Sequence, residues 1–160
     1  MRRPTETPLS ALALAALALT LTLTSGCVAY SGNTPAQKTQ SWASQGSLVA
    51  NNAQIVDDVH KARLAVARGT AIQLRTICSG LEFDVGTAYD TLPTPDLALT
   101  NDLNVADEQL LHAASDCSQV SSVSSPRTRR ALAQMATGLG DLQKAQRRAR
   151  ALGVSWPGTL

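Results

Sequence analysis

Apolar side chains recur at steps of three and four along four separate stretches of this chain, a spacing that suits helices and little else. One stripe is Leu48, Asn52, Ile55, Val59, Ala62 and Val66; a second is Ala71, Leu74, Cys78, Leu81, Val85 and Ala88. The third, Leu99, Leu103, Ala106, Leu110, Ala113 and Cys117, is the most regular. A fourth runs from Ser125-Pro126 to about Leu152, with Leu132, Met135, Leu139 and Leu142 turned inward. Each stripe gives a helix one face to bury, and no segment alternates with period two for long enough to make a strand. Aromatic residues number five in 160, which argues against a β-sandwich and against a stacking surface for nucleic acid. Four single stripes are buried most economically in an all-α, antiparallel four-helix bundle.

Punctuation between the stripes supports this division. Arg68 suits the negative end of a helix, Gly69 the left-handed position beyond it, and Thr70 with Gln73 forms a capping-box pattern. The alternative is a three-helix bundle in which one long first helix tolerates Gly69 at about 1 kcal/mol. Pro93 and Pro95 exclude a continuous helix between the second and third stripes. Ser125-Pro126, Thr34-Pro35 and Thr94-Pro95 each read as a cap followed by an N1 proline. Asn52 interrupts its stripe as a register-setting or edge residue.

The start of the chain has a different character. Arg2 and Arg3 precede an uncharged apolar run of 16 residues, from Leu9 to Thr24. That is short for a spanning helix, which needs about 20 residues, and fits the core of an export signal. The run closes on Thr24-Ser25-Gly26-Cys27, which resembles the lipobox of bacterial lipoproteins, whose cysteine is acylated before the leader is removed; Thr24 stands where that family prefers Leu, Val or Ile. The expectation is a signal peptide over residues 1–26, a lipidated Cys27 with a flexible tether over 27–45, a bundle over 46–153 and a tail over 154–160. Ordinary cleavage and release as a secreted protein is the alternative.

Cysteine parity points the same way. Three cysteines are an awkward number for an exported protein. If Cys27 carries lipid, Cys78 and Cys117 remain as a pair, and both lie on inward stripes, so a disulfide between the second and third helices follows. Cys78 lies 12 residues before Asp90, but Cys117 lies 22 after Pro95. With helix from Pro95 onward the two arms differ by about 15 Å, so either Leu97 to Leu99 belong partly to an arching loop with Thr100 as the effective cap, or the helix pair is tilted; the long loop is the expectation.

Chemistry is sparse. His60 and His112 are the only histidines, and no Gly-x-Ser-x-Gly elbow, CxxC pair or glycine-rich phosphate loop is present. Glu108, His112 and Asp116 fall on one side of a helix at ligand-like spacing, yet off the apolar stripe and toward solvent. Asp57, Asp58 and His60, with Lys61, form a second small cluster. Neither is assigned a metal, and no catalytic residue or cofactor is expected. From Cys27 onward the chain carries 12 basic and 11 acidic residues, so no global charge draws it to a polyanion. The distribution is uneven: residues 28–126 hold five basic against ten acidic, and from Arg127 onward seven against one. Arg127, Arg129 and Arg130 open the last helix and Lys144, Arg147, Arg148 and Arg150 close it, either beside acidic neighbours or as a face for anionic lipid or wall polymers.

The stretch from Cys78 through Leu92-Pro93-Thr94-Pro95-Asp96 to Cys117 resembles small predicted lipoproteins of high-GC Gram-positive, actinobacterial type, in which a cysteine helix, a Leu-Pro-x-Pro-Asp turn and a second cysteine helix follow one another. The likeness covers about forty residues and the leader, and it implies architecture and location, with no activity attached. The expected role is that of a lipid-anchored, non-catalytic surface module held at the membrane, with a protein or cell-wall partner and no nucleic acid. A small-molecule or metal-handling protein, using a cavity between helices with His60 or His112, is the alternative.

Overall fold

A computed structural model describes residues 30–45 and 48–156; the expected export signal, Cys27 and the last four residues lie outside the described residues. Within them the fold is all-helical, with five helices: α1 (Pro35–Gln45), α2 (Leu48–Arg68), α3 (Ala71–Tyr89), α4 (Leu97–Ser118) and α5 (Pro126–Ala151). Helices α2 to α5 form the up-and-down bundle that the stripes predict, each packed antiparallel to the next. Cys78 and Cys117, both fully buried, are joined by a disulfide across α3 and α4, with their Cα atoms 5.7 Å apart.

The local signals explain where the chain turns. Gly69 adopts φ 106°, a conformation that side-chain-bearing residues rarely take, and its N–H donates to the Ala65 carbonyl. The Thr70 hydroxyl then accepts from the Gln73 N–H at 3.3 Å, so α2 and α3 are separate helices and the continuous first helix is excluded. Ser125 caps α5 by accepting from the Thr128 N–H at 3.1 Å, with Pro126 in the first turn.

Four expectations are corrected. The first is the long loop before Cys117. Asp96, not Thr100, caps α4: its Oδ1 accepts from the Leu99 N–H at 2.7 Å, and helix begins at Leu97. Thr100 instead buries its hydroxyl against Thr94, whose N–H it accepts at 2.9 Å. The unequal arms persist as an overhang. From the bonded cysteines, α3 continues for 11 residues to Tyr89 while α4 reaches back 20 to Leu97. At 1.5 Å per residue, α4 projects about 13 Å past the end of α3.

The second correction concerns residues 35–45, expected as part of a flexible tether. They form α1, which fills the space the overhang leaves. Thr39, Trp42 and Ala43 are buried. The Trp42 indole N–H donates to the Thr91 carbonyl in the α3–α4 turn at 3.0 Å, and the Gln40 amide donates to the Leu152 carbonyl beyond α5 at 3.2 Å. The bundle is therefore a five-helix structure. Third, part of the expected tail belongs to the core: Val154 and Trp156 are buried, and the Trp156 carbonyl accepts from Arg150 at 3.0 Å.

Helix α5 is also rotated from its expected stripe. Met135 and Leu142 are buried, but Leu132 and Leu139 are only partly so, and the seam continues through Ala131, Gly138, Ala145 and Ala149. Gly138 sets how closely α4 and α5 approach. A Cβ there would lie 2.7 Å from Leu110 Cγ and 3.3 Å from the Ala106 carbonyl oxygen. At Gly140 a Cβ meets nothing. Gly138→Ala is therefore expected to destabilise the protein by about 1–2 kcal/mol, overpacking outweighing the gain in helix propensity. Gly140→Ala is expected to stabilise it by up to about 1 kcal/mol. Urea unfolding of the two variants checks this, and equal responses would show that Gly138 does not set the helix spacing.

Candidate functional site

A surface recess lies between α2 and α3, near the Gly69 turn. It encloses about 410 Å³ and is lined by Lys61, Leu64, Ala65 and Arg68 of α2 with Gln73, Thr76 and Ile77 of α3. The α2 residues follow one another at helical steps, so they share a face. Leu64, Ala65 and Ile77 make the apolar floor, and Lys61 and Arg68 stand at the rim. Exposed Ile72 lies one turn from Thr76 and extends the apolar surface. Such a recess suits an apolar group.

A carboxylate cluster borders it. Lys61 Nζ pairs with Asp57 at 2.5 Å and Asp58 at 3.1 Å, and its hydrogen bonds to these two hold its pKa above the usual lysine value. Asp58 is buried and also accepts from the Gln54 amide at 3.0 Å. Asp84, on α3, faces it. Burial, then hydrogen bonding to Asp58 and the Asp58 charge, raise the Asp84 carboxyl above the ordinary carboxylate range. The sequence places Asp57, Asp58 and Lys61 together with His60; the structure substitutes Asp84 for His60.

His60 faces the other way. It lines a smaller groove of about 290 Å³ between α2 and α5, with Val56, Arg63, Leu139, Gly140 and Gln143 among its neighbours. Glu108 and His112 are exposed on α4, while Asp116 pairs with Arg127 at 2.8 Å. Among the described residues no group of three His, Cys, Asp or Glu side chains is placed to hold a metal ion.

The basic helix is largely answered from within. Asp102 of α4 receives Lys144 Nζ and Arg148 Nε of α5, each at 2.7 Å. Burial alone would raise the Asp102 pKa, but the hydrogen bonds and charges of Lys144 and Arg148 hold it below the usual value. Arg127 also reaches the Gln119 side chain at 3.1 Å, and Arg129 donates to the Ser124 carbonyl at 2.8 Å. The uneven charge in the sequence is the signal for these pairs, although it does not say which acids meet which bases.

One group went unnoticed in the sequence. Asp107 of α4 is 1% exposed, and its Oδ1 has no hydrogen-bond partner. Burial pushes its carboxyl up to about 7. It flanks the Leu103–Ala106–Leu110 stripe at a position that reads as solvated.

Comparison with known protein families, curated proteins and solved structures finds no match to this chain. Among the described residues, no helix is long and apolar enough to cross a membrane.

Proposed function

We propose that this chain is an exported, lipid-anchored surface module, attached through Cys27, that acts by binding rather than by catalysis. The observation that carries the reading is the Cys78–Cys117 bond inside the core. It engages two of the three cysteines in the form that persists in oxidising compartments, which leaves Cys27 as the third. The basic start, the uncharged run to Thr24 and the small residues Ser25 and Gly26 before Cys27 supply the leader such a protein needs. A binding role is supported by the disposition of the titratable groups. Asp57, Asp58, Asp102 and Asp116 are engaged with Lys61, Lys144, Arg148 and Arg127, as structural ion pairs are. The recess between α2 and α3 supplies the candidate binding face.

The test is the intact mass of the chain extracted from its own membranes, together with fractionation of a Cys27→Ser variant. The expected mass is that of residues 27–160 with acyl chains on Cys27 and no free thiol. The variant should leave the membrane fraction, because two or more chains give stable anchoring. A mature chain that starts beyond Cys27 and carries no acyl group would sink the reading.

A further inference from the structure

We infer that the α1 end of the bundle rests directly on the bilayer surface, so that the Gly69 end points away from it. The inference rests on acylation of Cys27 and deepens that reading. A tether over residues 27–45 would leave the bundle free to turn, but the chain is fixed to the fold much earlier. Tyr30 is partly buried against the core and shares a shallow pocket with Trp42, Thr91, Leu92 and Pro93. The Ser31 N–H donates to the Ser41 hydroxyl at 3.3 Å, and the Asn33 N–H to the Gln37 side chain at 2.9 Å. Three residue steps separate Cys27 from Tyr30, and they reach at most about 11 Å. The headgroup layer of one leaflet is itself about 6 Å thick. A cysteine whose acyl chains lie in the membrane therefore holds the α1 end at the headgroups.

That end carries side chains suited to the contact. Leu97, at the start of α4, is 76% exposed; Tyr89 is more than one-third exposed, and Lys38 is exposed on α1. Asp90 and Asp96 of the α3–α4 turn lie at the same end, and so does the basic close of α5, Lys144, Arg147, Arg148 and Arg150, of which Lys144 and Arg148 are paired with Asp102. The occupant is a bilayer surface as such, zwitterionic lipid included. The opposite end, where Arg68 and the Ser-rich α4–α5 connection lie, is about 33 Å away along α4. The recess between α2 and α3 is thus carried clear of the membrane.

Both tryptophans sit at the α1 end, one on α1 and one just beyond α5, which makes them built-in reporters. The acylated full chain is reconstituted in phosphatidylcholine vesicles containing a dansyl-headgroup lipid, and energy transfer from Trp42 and Trp156 is measured. A second chain carries about 20 Gly and Ser residues inserted between Val28 and Ala29, a coil with a span of roughly 25 Å. Transfer should fall by at least half in the spacer variant. Equal transfer in the two chains, with acylation of both confirmed by mass in the same samples, would overturn the inference and leave the functional reading standing. Absence of the acyl mass would overturn both.

Discussion

A Cys78→Ala/Cys117→Ala double variant is expected to lose roughly 4 kcal/mol of stability and to melt about 15 °C lower than the native chain. The bond closes a loop of 39 residues. In the chain-entropy account, that closure narrows the denatured ensemble by this amount. Both sulfurs are fully buried, so a reductant added to the folded protein should act only as fast as the core opens, and denaturant should accelerate it sharply. Thermal melts of native, reduced and doubly substituted chains measure the effect. A melting point that does not move would mean that other contacts already hold the unfolded chain compact.

Stability is expected to fall as pH rises from about 4 to about 7, with Asp107 as the cause. The folded carboxyl keeps its proton up to about 7, whereas the unfolded one releases it near its ordinary value of 3.8. Between these values the native state holds a proton that the unfolded state has lost, so each rise in pH favours unfolding. Above 7 both states are ionised at this site and the penalty is constant, at roughly 4 kcal/mol. Burial alone produces the shift. Asp107→Asn removes the ionisation at nearly constant volume. It should match the native protein at pH 4 and exceed it by a few kcal/mol at pH 8. Urea titrations across this range decide the point, and parallel pH profiles for the two proteins would count against the assignment.

The parts of this fold that could be read in advance are those governed by local chemistry. Gly69, Thr70 and Ser125 mark helix ends because each meets a steric or hydrogen-bonding need within three or four residues. Stripes of Leu, Val and Ile on α2, α3 and α4 report burial through their own apolar surface. What escaped depends on how helices slide and turn against one another. Asp84 meets Asp58, and Asp102 meets Lys144 and Arg148, through inter-helix register that no single segment encodes. The seam of α5 is built on Ala131, Gly138, Ala145 and Ala149, whose small side chains carry little apolar signal although they allow the closest approach. The packing of helix α1 was least legible of all, although Thr34-Pro35 marks its start. Only Trp42 in it is large and apolar, and its place is defined by an overhang that follows from the unequal arms beside the disulfide.

The position of α1 has a further consequence, for the order in which the structure can be completed. Its two fixing hydrogen bonds reach residues 49 and 112 positions further along the chain. A ribosome releases α1 before the other described helices, yet its seat is not finished until Leu152 has emerged. Of the described helices the first made must wait for the last before its seat is complete, so the two extremities of the domain depend on each other.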